Sequence, residues 1–181
     1  MNAHKGNIVL IGMPGAGKST LGVVLAKIMN KSFLDGDLAI QSRHGKTLQA
    51  IIDEAGTDAF IEIENEVLRD IDVDETVIAT GGSAVYSEEA MKHLASIGTV
   101  VYLEITYDSL VERLGDLQER GVVLKGGITM SLHDLYEERR PLYERYAEVT
   151  VDVDKLSITD AARKVARAFS DKACQFPRYP L

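Results

Sequence analysis

The chain has 181 residues, with 20 Lys plus Arg against 28 Asp plus Glu and a formal net charge of −8. That length suits one domain with a real core, and so acidic a balance, without a block of basic residues, excludes a chain built to grip a polyphosphate backbone; no nucleic-acid partner is expected. The single cysteine, Cys174, has no internal disulfide partner, no Cys/His cluster has zinc spacing, and no apolar run suits a membrane span or a signal-peptide core, so a cytoplasmic protein without a membrane partner is the expectation.

In chain order, β-type apolar runs alternate with helical patterns. Strands are expected at 7–12, 32–34, 76–79, 99–104 and 147–151, and helices at 18–29, 38–43, 48–55, 58–71, 87–97, 107–114, 132–146 and 159–168. Thr57 and Ser87 read as N-caps and Gly98 as a C-cap. Residues 117–130, LQERGVVLKGGITM, have no clean period and three glycines, which suits a mobile lid at about 116–130. The organisation is one domain over 1–173 and a frayed tail over 174–181. Strand and helix alternating in this way define an α/β fold, a three-layer doubly wound sheet of about five parallel strands. The histidines His4, His44, His93 and His133 are scattered in polar segments and read as surface residues.

The most specific signal lies between the first strand and the first helix. Residues 12–20 read GMPGAGKST, a complete G-x-x-x-x-G-K-[ST] pattern in the strand–turn–helix context that phosphate binding requires. Gly12, Gly15 and Gly17 let bare N–H groups close around phosphate oxygens, with Ala16 between them and the following helix adding the positive end of its dipole. Lys18 can then reach the β and γ oxygens, the Ser19 hydroxyl can ligate Mg²⁺, and Thr20 completes the first turn. A glycine turn that only stops a strand would explain the glycines but not Lys-Ser at this offset. The fold is accordingly of the P-loop nucleoside triphosphate hydrolase type, with ATP and Mg²⁺ as the expected cofactors.

The second cluster is Asp35-Gly36-Asp37, after the second strand. In an open α/β sheet, ligands gather outside the carboxyl ends of the strands, so these carboxylates would project toward the phosphates. One could serve Mg²⁺ and the other could act as a base on a hydroxyl. Alone, the same tripeptide is a turn and the N-cap of the next helix.

The order of motifs then resembles the shikimate kinase family: Phe33-x-Asp35-x-Asp37-x-x-Ile40, Phe60-x-x-x-Glu64, Thr80-Gly81-Gly82, Val101-Tyr102-Leu103 and Arg139-x-Pro141-Leu142-Tyr143. The resemblance runs from about Asn7 to Asp152. It implies that Lys18 and its loop hold the ATP phosphates, that Ser19 and Asp35 serve Mg²⁺, and that Asp37 binds the acceptor hydroxyls and acts as base. It further implies that Gly81 and Gly82 give backbone contacts to the acceptor and that Arg113 stacks on adenine. Arg120 would swing from the lid onto the transferring group, and Arg139 would grip the acceptor's carboxylate.

Three positions depart from the family pattern. Its arginine one turn before the glutamate is Ile61 here, and Arg69, about 12 Å along the same helix, is no substitute. The third glycine of its Gly-Gly-Gly turn is Ser83, which adds a side chain beside the acceptor pocket, and the lid proline gives way to Gly121 after Arg120. Glu64, without its family partner, is expected either to face water or to meet a cationic group of the acceptor. The reading is an ATP-dependent phosphotransferase acting on a hydroxyl of a small metabolite, with shikimate the leading acceptor by resemblance. A same-fold kinase for a different hydroxylated acceptor and a non-catalytic nucleotide-binding paralogue are the alternatives, and a monomer or weak dimer is expected.

Overall fold

The computed structural model describes residues 5–114, 122–123 and 129–175. Five parallel strands form one sheet in the order β2-β3-β1-β4-β7, from β1 (Asn7–Ile11), β2 (Ser32–Asp35), β3 (Thr76–Ala79), β4 (Gly98–Glu104) and β7 (Val149–Asp152). Every residue of β1 and β3 is buried, which is why their sequences run apolar without alternation: a parallel strand covered on both faces has no solvent side.

The chain leaves β1 through α1 (Lys18–Met29) to reach β2 at one edge, and leaves β3 through α5 (Glu88–Ile97) to reach β4 on the other side of β1. Right-handed crossovers running in opposite directions along a sheet place their helices on opposite faces. α1 packs against the long C-terminal helix α8 (Ile158–Gln175), while α5 packs on β4 and on α4 (Thr57–Arg69). Asn7 fixes the start of β1: its amide donates to the carbonyls of Val73 (2.6 Å) and Ile97 (3.0 Å) and accepts from the Thr76 N–H.

Apart from the main core, α2 (Gly36–His44), α3 (Leu48–Ala55) and α4 enclose a second apolar cluster of Ile40, Ile51, Phe60 and Val67. These helices stand at the carboxyl edge of β2 and β3. The remaining described elements are α6 (Tyr107–Leu114), α7 (Leu132–Tyr146), a 3-10 turn at Ala84–Tyr86, and an antiparallel pair of β5 (Val122–Val123) with β6 (Thr129–Met130). No helix of the described residues is long and apolar enough to cross a membrane.

Several boundaries differ from the sequence expectation. The cap of α4 is Gly56 and not Thr57, because Gly56 at φ 84° serves two helices at once: its N–H closes α3 on the Ile52 carbonyl, and its own carbonyl accepts from Phe60. α2 begins at Gly36, with Asp35 as its cap. α8 continues to Gln175, beyond the expected end at 168, since no Gly or Pro interrupts the sequence until Pro177. Ser87 does cap α5, accepting from the Ala90 N–H. His93 is half-buried, with Nε2 2.8 Å from the Ile71 carbonyl, rather than free at the surface. Of the expected lid, the paired strands β5 and β6 are described, whereas Arg120 and Gly121 lie outside the described residues, as does the tail beyond 175.

Candidate active site

Three strand ends converge on one cleft of about 500 Å³. β1 runs into the glycine loop, β2 into Asp37, and β3 into Thr80-Gly81-Gly82-Ser83, while Arg139 of α7 and the apolar side chains Leu48, Ile52, Phe60 and Ile61 close the far wall. Thr80 joins two of these ends, its N–H and its hydroxyl both donating to the Leu10 carbonyl.

The loop has the form of an anion cradle. Gly12, Gly15 and Gly17 all have positive φ, and a Cβ on Gly12 would lie 2.8 Å from the Leu103 carbonyl oxygen, so no larger residue fits there. Ser19 and Thr20 stand exposed at the first turn of α1, which contains no acidic residue to oppose an incoming anion. Lys18 is 8% exposed, and its ammonium is folded back onto the carbonyls of Gly12 (2.7 Å) and Met13 (2.9 Å). Burial lowers its pKa to about 8, with Asp37 acting in the opposite direction.

Asp35 and Asp37 have divided their work. Asp35 Oδ1 accepts from the N–H groups of Asp37 (3.0 Å) and Leu38 (3.2 Å), so the capping role weighed from sequence is one it performs. Asp37 instead lines the cleft, its carboxyl pushed above the ordinary range chiefly by burial and then by the neighbouring Asp35.

Arg139, 5% exposed, is held by an element the sequence reading missed. Its Nε donates to the Tyr86 hydroxyl at 3.1 Å with the guanidinium carbon 5.0 Å from the centre of that ring, and the Tyr86 hydroxyl donates to Glu138 at 2.6 Å. Tyr143, inside the Arg-x-Pro-Leu-Tyr motif, donates to the Gly82 carbonyl at 2.8 Å and stacks on Tyr102. Tyr86 carries no periodic signal of its own, since it sits at the end of the 3-10 turn after β3.

Glu64 overturns the expectation that it faces water. It neither faces water nor stands among the residues lining the cleft; it is 2% exposed behind Ser83, whose hydroxyl donates to Oε2 at 2.5 Å. Burial pushes its carboxyl up to about 7 against the opposing effect of that hydrogen bond, and Oε1 has no hydrogen-bond partner among the described residues. Arg69 is paired with Glu89 at 2.7 Å and offers Glu64 nothing. Arg113 lies on the outer side of the loop, donating to the carbonyls of Ala16 (3.2 Å) and Val153 (3.4 Å).

A glycine cradle at the N-terminus of α1, facing the half-buried Asp37 across the carboxyl edge of a parallel sheet, defines a P-loop kinase for a small molecule. The profile of the shikimate kinase family matches residues 14–170. The chain is 38% identical over 158 residues to the shikimate kinase of Mannheimia succiniciproducens, an alignment covering 86% of this chain and 90% of that protein. It is 36% identical to the shikimate kinase of Vibrio parahaemolyticus, covering 94% and 99% respectively. Its fold matches the structure of shikimate kinase from Acinetobacter baumannii in complex with shikimate, with a TM-score of 0.82 at 30% identity over 92% of this chain and 93% of that one. The chain belongs to the shikimate kinase family, whose members are ATP-dependent kinases acting on an alcohol group.

Proposed function

We propose that the chain transfers the γ-phosphoryl group of ATP to the 3-hydroxyl of shikimate, in the aromatic amino acid pathway. The observation that carries this reading is the buried Arg139, a cation fixed by Tyr86 in the same cleft as the glycine loop and Asp37, where a monocarboxylic acceptor with a nearby hydroxyl can lie. The structural relative that holds shikimate supports the same acceptor.

In this reading Gly12, Gly15, Ala16, Gly17, Ser19 and Thr20 enclose the phosphates, and Lys18 leaves the Gly12 and Met13 carbonyls for the β and γ oxygens. Phosphate oxygens supply the opposite charge that the buried ammonium lacks. Arg113 lies toward the base, and Arg120 of the lid neutralises charge on the transferring group. Arg139 holds the acceptor's carboxylate while Gly81 and Gly82 offer their N–H groups. Asp37 binds the acceptor hydroxyl and accepts its proton; the upward shift of its carboxyl, caused chiefly by burial, strengthens it as a base.

The donor set fits Mg²⁺. Ser19, exposed at the first turn of α1, and Asp35, with Oδ1 engaged as the cap of α2, offer hard oxygen atoms of the kind Mg²⁺ takes. Ser19 and the Asp35 oxygen not engaged in capping would hold it, and when bound it supplies charge neutralisation between the β and γ phosphates. We further propose a monomer or weak dimer working in the cytoplasm.

The test is a coupled ADP-release assay across hydroxy acids, polyols and hydroxy amino acids. Shikimate as the acceptor with the highest kcat/KM supports the reading. Another acceptor in that place assigns a different substrate to the same machinery, and nucleotide binding without ADP release on any acceptor assigns a non-catalytic role.

A further inference from the structure

One side chain in the cleft bridges the acceptor space and the buried carboxyl behind it. Ser83 lines the cleft, and its hydroxyl donates to Glu64 Oε2, while the buried Glu64 Oε1 has no hydrogen-bond partner among the described residues. Ser83 follows Gly82, and a Cβ on Gly82 would stand 2.9 Å from Arg139 Nη1, so the hydroxyl and the guanidinium flank the same glycine. Ile61, also lining the cleft, is apolar and 7% exposed, so α4 brings no second cation to the acceptor.

We propose that Ser83 is a second anchor for the acceptor's carboxylate beside Arg139, and that a proton on Glu64 decides whether the serine can donate to it. The proposal rests on the shikimate reading above. A serine hydroxyl has one hydrogen. With Glu64 ionised, that hydrogen is committed to Oε2, and Ser83 turns only lone pairs toward the cleft, where they repel a carboxylate. With Glu64 protonated by solvent, its O–H donates to Ser83 Oγ and the serine hydrogen is released to the acceptor. No covalent bond of the acceptor changes. The titratable and charged groups facing Glu64 are Asp37 of α2, Arg139 and the Tyr143 phenol of α7, and Lys18 of α1; burial outweighs them and places the exchange near pH 7.

The experiment measures shikimate affinity by calorimetry in the presence of ADP, and KM by steady-state kinetics, at about pH 6 and about pH 8 for the wild type, Ser83→Ala and Glu64→Gln. The wild-type Kd and KM should rise about tenfold from the lower to the higher pH, as expected on losing one charge-assisted hydrogen bond. Glu64→Gln always has an amide hydrogen for Ser83 Oγ, so it should keep the low-pH affinity at both values. Ser83→Ala should bind about tenfold more weakly at the lower pH and lose the pH dependence. A flat wild-type profile overturns the proposal, and so does a pH dependence that persists at full size in Ser83→Ala or in Glu64→Gln, because another charge would then be responsible. If the wild type binds no shikimate at any pH, the acceptor assignment fails together with the proposal; shikimate binding with a flat profile sinks the proposal alone.

Discussion

The Arg139 guanidinium lies over the ring of Tyr86, 5.0 Å from its centre, and donates from Nε to the hydroxyl of the same side chain at 3.1 Å. One residue therefore fixes the cation by its face and by its edge, leaving the remaining guanidinium hydrogens for an anion in the cleft. Tyr86→Phe keeps the stack and loses the hydrogen bond; the KM for the acceptor should rise about threefold to tenfold with kcat little changed. Tyr86→Ala should raise KM further. Equal KM values for all three proteins would show that Arg139 does not depend on Tyr86.

Lys18→Ala should abolish phosphoryl transfer while far-UV circular dichroism stays native. Its ammonium donates to the Gly12 and Met13 carbonyls of the loop, so its removal takes away the charge proposed for phosphate oxygens and little packing. Near-normal turnover would remove Lys18 from the reaction.

Asp37→Asn preserves the shape of a carboxylate that lines the cleft but removes its basicity. We expect kcat to fall by roughly 10²–10⁴ with ATP affinity nearly unchanged. Loss of ATP binding with kcat retained would transfer Asp37 to the metal and make Asp35 the candidate base.

Ile61 and Glu64 stand three apart on α4, with Ile61 at the cleft and Glu64 behind it. Ile61→Arg places a guanidinium within reach of both the acceptor and Glu64. At about pH 8, where the wild type has lost the Ser83 anchor, the KM for shikimate should fall about tenfold, and it should no longer vary with pH, since a paired Glu64 stays ionised through neutral pH. A rise in KM for shikimate, measured on the purified variant, would show that the wall must be apolar for its true acceptor.

Glu64 also predicts how stability varies with pH. Its folded pKa of about 7 lies above the ordinary 4.5, so the folded state binds the proton more tightly than the unfolded one. The stability linked to this group is fully present below about pH 4.5 and is lost as pH rises through about 7, a difference on the order of 3 kcal/mol. Glu64→Gln should remove that component and be more stable than wild type at about pH 8, as judged by urea denaturation. A wild-type advantage at that pH would contradict the assignment.

The glycine loop was legible because anion binding demands contiguous residues at fixed offsets, and the sheet was legible because each strand is a short apolar run between helices. The cap of α4 was misplaced because Thr57 has the right side chain, whereas the need for φ 84° at Gly56 arises only from joining two helices without a spacer. Tyr86 and the Ser83–Glu64 contact were hidden for a related reason. They join residues 53 and 19 positions apart to Arg139 and Glu64 respectively, and only the folded turn after β3 brings them together.

The separate apolar cluster beneath α2, α3 and α4 gives the protein a seam along which it can evolve. Ile40, Ile51, Phe60 and Val67 hold the acceptor wall by contacts among themselves, while the glycine loop is backed by the main core under β1. Under the proposed acceptor assignment, substitutions on that wall, Ile61 among them, should change which hydroxyl compound is admitted without loosening the cradle. A lineage can thus exchange acceptors one residue at a time and remain a nucleotide-binding protein at every step.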